Sequence, residues 1–235
     1  MKEEENIGSV IFRLAGEKNC TFVSGEAMKV GELNNESGFI FTDFIRKNAF
    51  LIAPKTLISG LWNDIKNKLP LDIFVPKNPS EEASTDKDSY DFGFRIIKNE
   101  IEFKKITKAV LSRKMVFNTS SNAINIFDQL TTNYPTSHIY LVKTPSGDVW
   151  IGASPETLIT EKNQKASTMS LAGTKKDLDT NWTEKEYNEQ KIVTSTILEG
   201  LKELEIKTEV SELETVEAGA VYHLRNIISF CTKNH

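Results

Sequence analysis

Residues Val149 to Thr174 read V-W-I-G-A-S-P-E-T-L-I-T-E-K-N-Q-K-A-S-T-M-S-L-A-G-T, and their punctuation decides the fold. The apolar run Ile139 to Val142 precedes them. Pro145, Ser146, Gly147 and Asp148 then supply a turn signal before Val149 to Ile151, which predicts a hairpin. Gly152, Ala153, Ser154 and Pro155 break the second strand, and Glu156 follows the break at once. A carboxylate at a strand interruption can be held facing a cleft; an ordinary solvated loop residue fits the same spacing. Thr157 to Ile159 resume apolar character. Lys162 to Lys165 turn the chain back into a strand near Thr168 to Leu171, which ends at Ala172-Gly173.

Outward from this stretch, composition sets bounds. The chain has 235 residues, 39% hydrophobic and 26% charged, as expected for a soluble globular protein of one large or two small domains. A net charge of -4 and the lack of a long basic run argue against nucleic acid as a partner. Cys20 and Cys231 lie almost a chain length apart, so neither a disulfide framework nor a metal cluster is predicted. The start, M-K-E-E-E, lacks the apolar segment of a signal peptide, and Ala49 to Ala53 is far too short to span a membrane. The cytoplasm is the expected compartment.

The N-terminal part alternates short apolar runs with turns. Val10 to Leu14, Cys20 to Val23 and Phe39 to Phe41 read as strands. Phe44 to Ile52 reads as a helix start or a buried strand, and Leu57 to Leu69 as a helix weakened by Gly60. Pro76 to Asp88 is a Pro-, Ser- and charge-rich change of composition, read as a linker or loop. The expected division is therefore 1-75, a linker over 76-90, and 91-235.

In the second part, Asp91 to Thr107 reads as an entry loop and a helix. Lys108 to Phe117 (K-A-V-L-S-R-K-M-V-F) reads as a strand with two mixed faces. Lys108 at its start can enter a site at the sheet edge or mark the strand end in solvent. Asn122 to Leu130 reads as a helix ended by Tyr134-Pro135. Trp182 to Leu204 is the best helical pattern, with Thr183 and Glu186 spaced as a capping box. Val193, Ile197, Leu201 and Leu204 form its apolar stripe, and Glu189 stands on that stripe one turn earlier. A carboxylate there is paired, bound to metal, or beyond the edge of the core. Lys207 to Val210 reads as a short strand. Ala218, Val221, Leu224, Ile228 and Cys231 give a second helical stripe, with His223 and Arg225 inside it.

Five blocks carry a resemblance: Lys108 to Arg113 (K-A-V-L-S-R), Gly152 to Leu158 (G-A-S-P-E-T-L), Leu171 to Thr174 (L-A-G-T), Thr183 to Val193, and Val216 to Leu224, ending A-G-A-V-Y-H-L. In order and spacing they resemble the chorismate-utilising enzymes, most closely the isochorismate synthases, over roughly residues 90 to 230. The resemblance implies an α+β fold with antiparallel sheets packed face to face and helices outside. It implies chorismate as substrate and Mg²⁺ as cofactor. Lys108 would be the general base that takes a proton from the water attacking C2, and Glu156 the general acid that protonates the departing C4 hydroxyl. Glu189 would bind Mg²⁺. Ala172, Gly173, Thr174 and His223 would line the substrate pocket, and Arg113 would be structural support.

Anthranilate and aminodeoxychorismate synthases resemble each other in lacking the lysine, so Lys108 favours water as nucleophile. A salicylate synthase shares the hydration machinery and remains a competitor. The implied pathway is menaquinone synthesis, or else siderophore synthesis. The family helix usually shows Glu-His where this chain has Glu189-Gln190, and commonly a threonine where it has Asn226. Family members also continue well beyond the length seen here. That leads to the expectation that a C-terminal part is missing, so that the chain is a truncated product, a fragment or one half of a split protein with a separately encoded C-terminal half, or else an inactive structural remnant.

Overall fold

The computed structural model describes residues 6–29, 37–45, 47–69, 71–76 and 83–232. In chain order the elements are β1 (Ile7–Arg13), β2 (Asn19–Lys29), β3 (Phe39–Thr42), β4 (Ala49–Ile52), β5 (Thr56–Leu61), α1 (Trp62–Ile65), α2 (Lys87–Glu102), α3 (Ala123–Asn133), β6 (His138–Lys143), β7 (Val149–Ser154), β8 (Thr160–Lys162), β9 (Lys165–Lys175), α4 (Glu184–Glu203), β10 (Thr208–Val210), β11 (Glu214–Ala218) and β12 (Val221–Cys231). The fold is α+β, with an antiparallel sheet in each of two units and a helix packed on each, α3 against β6 and β7 and α4 against β9 and β12. No helix among the described residues is long and apolar enough to cross a membrane.

The chain forms two compact units, and both are discontinuous. One comprises Met1–Pro79 with Ser121–Thr157, the other Ser80–Ser120 with Leu158–His235. The units interleave and do not follow the expected boundaries 1-75, 76-90 and 91-235. The reason is strand pairing: β6 joins the sheet beside β1, with Ser9 opposite Lys143 and Arg13 opposite Ile139. Of the expected linker, residues 77–82 lie outside the described residues, and Asp88 is already helical.

In the first unit the strand order is β3-β4-β2-β1-β6-β7, with β5 also on β2. The pairing β6 to β7 is the expected hairpin, Lys143 opposite Val149 and His138 opposite Ser154. β2 is long because it serves two partners on one edge: residues 19–24 pair with β5 and residues 27–29 with β4. Gly25 lies between these partners. A Cβ there would sit 1.9 Å from the Ala53 carbonyl oxygen, so only glycine lets the two backbones approach so closely. The central strands β1 and β6 are buried on both faces. Ile11, Phe22, Ile139 and Leu141 pack on one side with Trp62 and Phe127, while Val10, Val23, Ile52 and Val142 pack on the other. That explains the continuous apolar runs at β1 and β6. Leu57 to Leu69 is therefore strand β5 followed by the short α1, not one helix, and Phe44 to Ile52 resolves to strand β4.

α3 begins at Asn122, whose side chain accepts from the Asn125 N–H. Its far end is met by Arg13, the last residue of β1. The guanidinium is buried and donates to the carbonyls of Thr131, Tyr134 and Ser137, so a fixed charge satisfies the open end of the helix.

His138 begins β6, its ring stacked on Tyr140. Burial pushes its imidazole below the ordinary histidine range, and a hydrogen bond with the Arg13 backbone partly offsets this. A lowered histidine means that the folded state prefers the neutral ring. Its contribution is then fully present above the unfolded value of about 6.5 and is lost as pH falls from there through the folded value. Thermal melts from about pH 7 to about pH 5 are expected to fall more steeply for the native chain than for His138→Gln.

The second unit holds a sheet in the order β10-β12-β9-β8, with β11 also on β12. Here two expectations are corrected. The stripe at 218–231 is not a helix: Ala218 ends strand β11 and the rest lies on strand β12, which pairs along its length with β9. Leu224 and Ile228 are four apart, a spacing that fits either period, and their burial together with Phe230 follows the alternation of a strand. Lys108 to Phe117 is not a strand: residues 108–122 have no regular secondary structure. Part of this segment runs beside residues 84–85. The Ser84 hydroxyl accepts from the Val116 N–H and the Thr85 hydroxyl from the Lys114 N–H, and the Thr85 N–H donates to the Lys114 carbonyl. Val110 and Phe117 are exposed.

Candidate functional site

The antiparallel pair β9 and β12 is irregular at one place. Tyr222 pairs with Lys175 and Leu224 with Ala172, so Gly173 and Thr174 together oppose the single residue His223. This is a bulge, and Gly173 adopts the left-handed conformation (φ +70°) that bulges of this kind ask of a glycine. A Cβ on Gly173 would also meet the Glu186 side chain at 3.1 Å. The bulge thus lets the backbone of β9 turn aside and α4 come close.

The irregularity collects four residues picked from sequence, Ala172, Gly173, Thr174 and His223, at one point. His223 Nδ1 lies 2.7 Å from the Gly173 carbonyl and 3.2 Å from the Thr174 hydroxyl. A carbonyl only accepts, so Nδ1 carries the hydrogen. In the neutral ring Nε2 is then the acceptor.

α4 is placed over this sheet by its first turns. The Glu186 carboxylate reaches back to accept from the N–H and the hydroxyl of Thr183. These bonds, the hydroxyl first and the N–H second, hold Glu186 well below the ordinary carboxylate range, at about 2. One turn on, Glu189 meets Lys108. Nζ of Lys108 stands 2.9 Å from Oε1 of Glu189, the two side chains 24% and 30% exposed. Lys185 approaches the other oxygen, Oε2, at 3.8 Å. The structure therefore brings Lys108 and Glu189 together although 81 residues separate them.

The donor chemistry for Mg²⁺ can be tested against this arrangement. Magnesium takes oxygen ligands and needs at least one carboxylate free to bind it. Glu189 has the right chemistry, but an ammonium already engages Oε1 and a second faces Oε2. Among the described residues no group of three or more His, Cys, Asp and Glu is placed to hold a metal ion. As arranged, the residues do not fit a magnesium site.

Gln190 is not among the residues the resemblance assigns to the site, yet it is the buried residue of α4, 2% exposed. Its Nε2 donates to the Ser170 carbonyl and hydroxyl, each at 3.0 Å, and to Oδ1 of Asn226 at 3.1 Å. Asn226 in turn donates to the Ser211 carbonyl. Gln190 and Asn226, the two positions that depart from the family pattern, are thus bonded to each other. The signal was present in the sequence as a polar residue four positions after Glu186 and four before Thr194, on the helix face that meets the sheet.

Glu156 belongs to the first unit. It stands two residues past the end of β7, after Pro155, and is exposed, with its backbone fixed by Ser154: the Ser154 hydroxyl accepts from the Glu156 N–H and donates to the Glu156 carbonyl. Arg113 lies in the irregular segment of the second unit and is exposed.

A family described as chorismate binding enzyme matches residues 53–235. Among solved structures, the chain is similar to a protein of Bacillus anthracis assigned as a 2,3-dihydroxybenzoate-specific isochorismate synthase, DhbC, with a TM-score of 0.67 and 18% identity over 99% of this chain and 70% of that one. It is similar to MenF, the menaquinone-specific isochorismate synthase of Escherichia coli, with a TM-score of 0.64 and 14% identity over 98% of this chain and 66% of that one. At such identity they show a shared fold. Anthranilate synthase component 1 of Mycolicibacterium smegmatis is 26% identical over 102 residues, which span 41% of this chain and 20% of that protein.

Proposed function

The chain belongs to the chorismate binding enzyme family, and on that premise we propose that it takes part in the conversion of chorismate to isochorismate. One observation carries the choice within the family. Lys108 Nζ stands 2.9 Å from Oε1 of Glu189, one turn along α4 from Glu186, whose side chain a Cβ on Gly173 would meet at 3.1 Å. That puts a base-capable amine at the end of α4 that packs against the bulge.

In the proposed reaction the C2–O bond to water forms as the C4–O bond breaks, and the ring double bonds shift between. Lys108 takes a proton from the attacking water, for which its amine must first leave the carboxylate. Glu156 gives a proton to the departing hydroxyl. One water enters and one leaves, so the change is an isomerisation. Thr174 and the Nε2 atom of His223 are proposed to hydrogen-bond the substrate. We place the reaction in the cytoplasm, in menaquinone or siderophore synthesis.

The test is product analysis with chorismate and water. Isochorismate is expected, and Glu156→Gln is expected to lower the turnover rate by about 100-fold or more, the usual worth of a general acid. The relationship to an anthranilate synthase favours one alternative, in which ammonium is the nucleophile. Formation of anthranilate with ammonium, and no isochorismate with water, would replace the first reading by the second.

A further inference from the structure

Resting on that reading, in which the Lys108 amine is the base, we propose that Gln190 and Asn226 are positioning residues for Lys108. They fix how α4 is turned on its sheet, and through Glu189 they fix where the amine rests before it acts. Most helices are seated by apolar packing, which is not directional. α4 is seated otherwise. Val193, Ile197 and Leu201 of its apolar stripe are only half-buried, Leu204 is exposed, and Gln190 is its buried residue. A hydrogen bond demands both distance and alignment. The Gln190 amide bonds to two neighbouring strands at once, to the Ser170 carbonyl of β9 at 3.0 Å and to Oδ1 of Asn226 of β12 at 3.1 Å. Asn226 is held in turn by its bond to the Ser211 carbonyl. A helix tied through one side chain to two strands has one rotation, and setting register is the best-attested use of a single buried polar residue. The other end of the amide agrees with this role. Among the described residues Oε1 is buried with no hydrogen-bond partner, so the donor end, which aims at the sheet, is the end in use.

The rotation matters at the neighbouring residue. Glu189 leaves the helix about 100° around from Gln190, so pinning the amide gives the carboxylate one direction. Lys108 Nζ meets its Oε1 at 2.9 Å. Lys108 starts residues 108–122, which have no regular secondary structure, so no ladder holds its backbone. Glu189 is therefore the firm partner and the lysine is the one being placed. Lys185 lies 3.8 Å from the other oxygen, but it stands on α4 and turns with it, so it cannot set the rotation. Thr194, one turn further on, belongs to the same buried cluster. Its hydroxyl lies 2.8 Å from that of Ser170 and bonds to the Gln190 carbonyl of its own helix, while Oδ1 of Asn226 stands farther off at 3.5 Å. Removing that hydroxyl weakens the cluster and leaves both of the Gln190 bonds in place.

The test is labelling of Lys108 by trace acetic anhydride on the whole chain, read by peptide mass spectrometry against exposed Lys162. Glu189→Gln frees the amine and is expected to raise the ratio about fivefold. Gln190→Met removes both donors and is expected to raise it about threefold. The double variant is expected to go no higher than Glu189→Gln alone, because Gln190 acts through Glu189. Thr194→Val is expected to stay within about 1.5-fold of the native ratio, although it too weakens the cluster. Circular dichroism confirms that each variant is folded. Should Gln190→Met not fold, Asn226→Ser removes one acceptor, keeps the glutamine and is expected to raise the ratio about twofold. An unchanged ratio in the folded variant, effects that multiply in the double variant, or an equal rise in Thr194→Val would overturn the proposal. In turnover, Gln190→Met is expected to lower kcat about tenfold and leave KM for chorismate within about twofold; a change in KM alone counts against it. Labelling needs no turnover. The expected labelling without isochorismate removes the proposed function and leaves the placing of the amine; isochorismate with flat labelling does the reverse.

Discussion

Replacing Arg13 by methionine is expected to lower the stability of the first unit by about 3 kcal/mol. The guanidinium is buried at the end of β1 and serves three carbonyls at and beyond the end of α3. Methionine keeps much of the apolar stem but donates nothing. The Thr131 carbonyl, met by Arg13 Nη1 at 2.6 Å, then loses a charged donor in a place where water has little access. Hydrogen bonds to charged groups contribute more than neutral ones, and an acceptor left without a partner costs about 1–3 kcal/mol. In a chain of this length the loss corresponds to a fall in midpoint of roughly 6–12 °C. Lysine in the same place supplies charge without the fork and is expected to recover only part of it. A melt of Arg13→Met within about 2 °C of the native chain would show that the carbonyls find other donors.

The second large effect is expected at Gln190. Gln190→Leu keeps the volume and removes the amide, leaving the Ser170 carbonyl and the Asn226 side-chain oxygen short of a donor. A loss of about 2–3 kcal/mol in the second unit is expected. Since Gln190 and Asn226 are bonded directly, their substitutions should not add. A double-mutant cycle with Asn226→Ala is expected to give a coupling of about 1 kcal/mol or more. The family pattern offers a sharper form. Gln190→His alone puts a larger ring against Asn226, whereas Gln190→His with Asn226→Thr restores the usual combination and is expected to recover stability. Chemical denaturation of the four proteins decides it; additive losses would mean that the two departures arose independently of each other.

The sequence reading carried far where one local signal was enough. The hairpin at 138–154 was legible from Pro145-Ser146-Gly147-Asp148, and α4 from Thr183 and Glu186, because turn and cap chemistry act within a few residues. It failed where distant partners decide. β12 was read as a helix because Leu224 and Ile228 fit both periods; the pairing with β9 that selects the strand lies some fifty residues away in sequence, as Leu224 opposite Ala172 shows. Lys108 to Phe117 reads as a strand although both of its faces are mixed, and a short run of sequence does not show whether a neighbouring strand is there to pair with. At the site, Gly173, Thr174 and His223 were nameable from their blocks, but the bulge that unites them is a mismatch of register, which no single block contains. Gln190 drew notice as a departure from pattern, and its burial came only with the sheet beneath it.

The interleaving of the two units has a consequence for how the chain is made. β1 cannot complete its pairing until β6 has been synthesised, since Ser9 waits for Lys143. At ordinary elongation rates that is a delay on the order of 10 s. During that time the segment Ser80–Ser120, which belongs to the other unit, has already emerged and must wait in its turn for β9 and β12. Neither unit can be finished from the ribosome in one pass. Nascent chains held at different lengths should therefore gain protease resistance late, with the first unit closing only once residue 157 is out and the second only near the end of β12.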